Sequence, residues 1–246
     1  NYKDDKTEFR WFNAGFNQNS KIFTLDSFSF NPTLSRESFL SKLTFQKDYI
    51  NGGTGAIQIG PIDIDKYSKD MVLDIDCIKV DNPYLNDYKD KSLPFAAGTI
   101  KPLPANMIKK IPFQISVDTI KLNNAKVDYT DVSEKTKMPG TIPVTRLAAN
   151  LFNIKNYNLT ATDSLSIHAY GYVMDTVWVR LRVKESYTDS LGGFLMTVRL
   201  KPGDVTVLNP VLIPLASVKL ISGQFDTINM RAVGREYLSL GEMKMF

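Results

Sequence analysis

Apolar residues recur at every second position over most of this chain, a period that fits half-buried β-strands and not helices. The alternation does not stay on one parity. In "VDTIKL" (117–122) the apolar set moves from Ile115 and Val117 to Ile120 and Leu122 across Asp118-Thr119. The same step takes Leu25 to Phe28 and Phe30 across Asp26-Ser27, Ile75 to Ile78 and Val80 across Asp76-Cys77, and Phe225 to Ile228 and Met230 across Asp226-Thr227. A weaker form, "TDSLSI", carries Asp163-Ser164 before Leu165 and Ile167. One extra residue in a strand resets the face of every later side chain, which is a β-bulge. Asp beside a small residue suits the unpaired position, because its carboxylate accepts from nearby backbone N–H groups. A turn that ends the strand at each Asp is the competing reading. Bulges would keep Leu25, Ile75, Val117 and Phe225 on the same side as the residues that follow them, and would bend the sheet.

The strand spans expected from this pattern include Lys21–Phe30, Ala56–Asp65, Met71–Val80, Phe113–Leu122, Ala125–Tyr129 and Ile142–Ile154. Leu165–Val173, Val177–Lys184, Phe194–Leu200, Gly223–Val233 and Tyr237–Phe246 complete the series. Asn123-Asn124 reads as a two-residue hairpin turn, because Asn tolerates positive φ, and Gly171 to Thr176 reads as another reversal. Helix signals are short: Ser35 as an N-cap for "RESFL", Pro104 in a first turn, and a turn near Asp204 followed by a start at Asn209-Pro210. The fold class is therefore mainly β, a long curled antiparallel sheet with a few short amphipathic helices. The best boundary lies in "KSLPFAAGTIKPLP", dividing the chain into 1–100 and 101–246, as two segments or as one continuous sheet.

Little in the chain suggests chemistry. His168 is the single histidine, so no multi-histidine metal site and no histidine pair can exist; it alternates into a strand, and with no activated-nucleophile motif beside it a partly exposed strand residue is the reading preferred over a general base. Cys77 is the single cysteine, so no intrachain disulfide forms, and a small apolar filler is its simplest role. "GGTGAIQIG" (52–60) precedes a strand and not a helix, so it reads as a flexible turn and not a phosphate cradle. Asp63, Asp65, Asp74 and Asp76 alternate with apolar residues and read as solvated strand faces, not calcium ligands. Arg180, Arg182 and Lys184 form a similar wet stripe, with an anionic headgroup as the alternative to a merely solubilising role. The net charge of +4 is spread along the chain without a nucleic-acid footprint. No enzyme, cofactor or metal site is expected. The longest apolar run, "VLIPLA", is too short to span a bilayer. The first residue is Asn and no signal-peptide pattern follows, which reads as a piece of a longer protein.

"IPFQISVDTIKLNNAKVDYTD", the Gly-bearing "SEKTKMPGTIPVTRLAANLFNIKN", "LNPVLIPLASVKLISGQFDTINMRAVG" and "SLGEMKMF" together resemble the AsmA-like proteins, which include the TamB group. The likeness covers 111–246, with a looser one over 23–50. It implies a periplasmic, cell-envelope location, a membrane anchor outside this segment, and a taco-like open β-groove that carries phospholipid or serves outer-membrane homeostasis. The family offers no discrete site motif. The groove-lining candidates come from the parity steps: Phe28, Phe30, Ile78, Val80, Ile120, Leu122, Ile228 and Met230. The alternative is a scaffold or protein-docking module whose groove is filled by its own side chains. Phospholipid or acyl chains, and a membrane, are the expected partners; nucleic acid is not.

Overall fold

The computed structural model describes residues 1–96, 98, 101–235 and 237–246. The first stretch holds β1 (Tyr2–Lys3), β2 (Thr7–Phe12), β3 (Gly15–Asn17), β4 (Ile22–Leu25), β5 (Ser27–Pro32) and α1 (Arg36–Leu40). Next come β6 (Asp48–Thr54), β7 (Ile57–Ile59), α2 (Ile64–Asp70), β8 (Val72–Asp81) and β9 (Tyr84–Asp90). A crossover containing α3 (Pro104–Lys109) leads to the longest strands, β10 (Gln114–Val132) and β11 (Pro139–Lys155). A meander of β12 (Ser164–Val173), β13 (Val177–Ser186) and β14 (Phe194–Leu200) follows. A side excursion, β15 (Gly203–Asp204), a 3-10 turn, α4 (Asn209–Ala216) and β16 (Gln224–Phe225), precedes β17 (Ile228–Arg235) and β18 (Leu238–Met245). The helix starts follow local chemistry: the Ser35 hydroxyl accepts from Ser38 N–H, and Pro104 occupies the first turn of α3.

All strands except β15 and β16 join one sheet that is not closed into a barrel, with β1 and β18 at its ends. The sheet is mixed, not wholly antiparallel. β8 and β9 both pair parallel with β10, because the connection between β9 and β10 is a crossover and not a hairpin. The sheet passes without a break from the first segment to the second.

The first half of the sheet is creased. β2–β3, β4–β5, β6–β7 and β8–β9 are each two strands laid end to end, and the pairing register is the same on both sides of every join. Leu25 pairs with Ile57 and Phe28 with Thr54; Val80 pairs with Leu122 and Tyr84 with Lys126. The joins fall in one row across the sheet, at Asn13, Asp26, Gly55, Asn82, Asn124 and Arg146. Asn13, Asn82, Asn124 and Arg146 have φ of 47°, 48°, 51° and 47°. Asn adopts this left-handed backbone more readily than most residues. Side-chain bonds run along the row: Asn13 Nδ2 donates to Asp26 Oδ2 (2.7 Å), Asn123 Nδ2 to Asp81 Oδ1 (2.8 Å) and Asn124 Nδ2 to Asn82 Oδ1 (2.7 Å). Asn123-Asn124 is therefore a bend inside β10 and not a hairpin turn.

A second irregular row lies six residues away on β8 and β10, through Asp76, Asp118 and Asn153. The ladder there skips from Val117 to Thr119 on β10 and keeps its register with both β8 and β11, while Asn153 has φ of 60°. Ile75 and Ile78, Val117 and Ile120, and Ile154 and Leu151 all pack in one core cluster, so each strand does keep its apolar groups on one face across the step. The step is neither a turn nor a bulge confined to one strand. Neighbouring strands carry it together, and pairing slips in none of them. Asp26 belongs to the first row instead, and Asp226-Thr227 connects the small β15–β16 ladder to β17. A true register shift occurs between Thr145 and Ala148 on β11, opposite β12, and it ends the creased region. From β12 onward the pairings run without a shift.

Two other local readings change. Asp63 is the N-cap of α2, its Oδ1 accepting from Lys66 N–H at 2.9 Å, so Ala56–Asp65 is not a single strand. Gly52 and Gly53 lie buried inside β6 and not in a flexible turn. The Asn124 bond can be tested directly. Asn124→Gly keeps the backbone but loses the bond to Asn82 and should cost about 0.5–1.5 kcal/mol in urea unfolding. Asn124→Val adds the left-handed penalty and should cost about 1–2 kcal/mol more.

Candidate functional site: an apolar trough

Cross-strand partners share a sheet face, so the registers assemble the lining residue by residue. One row runs Leu25, Ile57, Val80, Leu122, Ala149, Ala169, Leu181, Val198, Met230 and Met243. The next runs Phe23, Ile59, Ile78, Ile120, Leu151, Ile167, Val183, Met196, Ala232 and Gly241. Neither row contains an ionisable or hydrogen-bonding side chain. At a strand spacing of roughly 4.8 Å the rows extend about 43 Å across the sheet.

Two helices stand on this same inner face, near opposite ends of the strands. α3 covers one end, where Ala105 joins Ile75, Val117, Ile154, Leu165 and Tyr187 in the core. α4 covers the other at Gly140, where an added Cβ would lie 2.9 Å from Leu215 Cγ. Between the helices most of the lining is half-buried, and it opens toward the last strands. Ala149 and Ala169 are 6% and 7% exposed, whereas Met230 and Met243 are 38% and 61% exposed. The character of the lining is that of a surface that gains from contact with hydrocarbon.

Both ends of the trough are charged beneath their covers. Glu185, 3% exposed, accepts from Ala105 N–H at 2.8 Å, and burial holds its carboxyl above the usual range against the opposing effect of that bond. Glu185→Gln removes a desolvated anion and retains an acceptor for Ala105. A raised folded pKa makes the native state lose stability as pH rises above the unfolded value near 4.5. The variant should therefore unfold later than the parent at neutral pH and show no gain below about pH 4. Thermal melts across this range check it. At the α4 end, Asp131 pairs with Lys91 (2.5 Å), and Asp48 pairs with Lys89 (3.5 Å) and with Lys101. Burial, with the Asp48 and Asp131 charges, raises the Asp87 carboxyl, and burial pushes Tyr129 up to about 12. The Lys91 and Lys101 pairs tie the crossover to the sheet, and Asp48–Lys89 bridges β6 and β9. Among the described residues no group of three acidic, histidine or cysteine side chains could hold a metal.

All eight sequence-derived lining candidates fall on the inner face. Ile78, Val80, Ile120, Leu122 and Met230 lie in the two rows above, and Ile228 pairs with Leu200 beside them. Phe28 and Phe30 lie beyond the first crease, with Phe30 over Gly52. The sequence reading missed the Ala149–Ala169 centre, although Ala169 alternates with His168 and Tyr170; Ala149 is masked by the adjoining Ala148. His168 sits on the opposite, outer face with its ring edge-on to Phe152 (5.4 Å), and Cys77 is half-buried. No helix among the described residues is long and apolar enough to cross a membrane. Compared with protein-family models and with curated proteins, the chain matches none.

Proposed function

We propose that the trough binds phospholipid acyl chains and that the chain is a non-enzymatic groove module of an AsmA-like envelope protein. In that reading it sits in the periplasm, and a membrane anchor lies outside this segment. The observation that carries the reading is the pair of uninterrupted apolar rows, half-buried over much of their length and exposed at Met230 and Met243. Burying hydrocarbon against such a lining gains about 0.8 kcal/mol per methylene, without requiring any polar contact in the rows. Phosphate-bearing heads would remain outside in water.

Mass spectrometry of solvent extracts from the purified protein tests the proposal. Phospholipid should co-extract with the parent chain and be largely lost from Met230→Asp, a position exposed enough for the fold to tolerate a charge. A fully folded parent that yields no phospholipid and takes up none from labelled donor vesicles would overturn it. A scaffold reading rests on a separate observation, the near-complete burial of Ala149 and Ala169 by the chain itself. That reading gains if the fully folded parent yields no phospholipid and Met230→Asp leaves its stability unchanged.

A further inference from the structure

The outer face of the meander is as strongly cationic as the inner face is apolar. Outward positions on β12, β13 and β14 carry no carboxylate, and Arg180, Arg182, Lys184 and Arg199 have no ion-pair partner among the described residues. Arg180 stands directly opposite Arg199, an arrangement that costs stability in isolation. Arg231 continues the patch on β17, where it faces Glu242, itself held by Lys244 at 2.7 Å. The whole chain carries only +4, so this patch is a local concentration of charge and not a reflection of composition.

The patch has an apolar neighbour. At its Lys184 end lies an open cavity of about 750 Å³ lined in part by Leu195, Val233 and Leu240, and its two carboxylates, Asp163 and Asp189, are ion-paired to Lys155 and Arg235. Leu195, Val233 and Leu240 are 37%, 43% and 70% exposed. At the other end Tyr170 stands 54% exposed beside Arg180. A soluble polyanion would use the guanidinium groups and leave the leucines in water. A bilayer surface uses both, with anionic headgroups on the arginines and the apolar side chains at the acyl boundary. We propose that this outer face docks on the surface of an anionic lipid bilayer. The inference does not rest on the trough binding lipid, since the two surfaces lie on opposite sides of the sheet.

Flotation with phosphatidylcholine vesicles, with and without phosphatidylglycerol, tests it. The chain should float with the phosphatidylglycerol vesicles and be released by high salt. Arg180→Gln with Arg199→Gln should weaken binding about 25-fold, at about five-fold per residue. Leu240→Ser should weaken it further at unchanged charge and melt with the parent, and the double variant should melt no lower than the parent, because these side chains are exposed and the Arg180–Arg199 repulsion is relieved. Phospholipid co-extracted from the trough should be unaffected by these changes. Equal flotation of parent and double variant overturns the proposal. So does a parent that binds inorganic phosphate or a single-stranded oligonucleotide but not the vesicles. Vesicle binding that is indifferent to Leu240→Ser also overturns it, because the face would then be a general anion site.

Discussion

Leu165→Ala should lower the unfolding free energy by about 3–5 kcal/mol, read as a fall in the urea midpoint at unchanged slope. Leu165 is 0% exposed and lies where β12 begins, in the cluster that joins Ile75, Val117 and Ile154 to α3. Four strands and a helix meet there, so the site cannot collapse around the missing methyl groups without moving several elements. The lost transfer energy and the cavity therefore add. The same truncation at Leu240, which is 70% exposed, should change stability by no more than about 0.5 kcal/mol. Equal effects at the two positions would mean that the core does not lie beneath α3.

Gly52→Val should cost about 3 kcal/mol or more and should do so locally. A Cβ at Gly52 would lie 2.7 Å from the Tyr84 carbonyl oxygen and 2.9 Å from the Phe30 ring. The first obstacle is backbone of the paired strand β9 and cannot rotate away, so β6 must separate from it. Overpacking alone costs about 1–3 kcal/mol, and lost ladder bonds add to that. Hydrogen exchange should rise first in β5, β6 and β9, with the β12–β14 meander still protected. Gly15→Ala is the matched control: its added Cβ would meet only Thr24 Oγ1 at 3.4 Å, ordinary contact. Comparable loss at both positions would exclude close strand approach as the reason for glycine at 52.

The apolar inner face and the basic outer face set two different chemistries on the two sides of one sheet. Period-two alternation on β13 does this with a single strand. Val179, Leu181 and Val183 point inward while Arg180, Arg182 and Lys184 point outward. The crease rows extend the same segregation around a bend. Without the steps at Asn82 and Asn124, Leu85 and Val127 would face the outer side and the inner face would end at the fold.

Local chemistry alone determined the β character, the Ser35 cap and the Pro104 first turn, the reversal between β12 and β13, and the parity steps themselves. Each depends on residues a few positions apart, and alternation and capping act at that range. Tertiary structure decided whether an Asn pair turns the chain back or only bends it. Asn124 has the left-handed backbone that either outcome requires, and the deciding bond comes from Asn82, a crossover away. It also decided between strand and helix at Ile62-Asp63-Ile64-Asp65. The alternation there suits a strand, yet the Asp63 carboxylate caps Lys66 N–H and Lys66 pairs with Asp74 on β8. The parallel pairing of "IDCIKV" beside "VDTIKL" was likewise out of reach, because similar strands can pair in either direction until a connection fixes one. Here the connection through α3 carries the chain back over the sheet, and it is held there by Ala105 in the core and its N–H on Glu185.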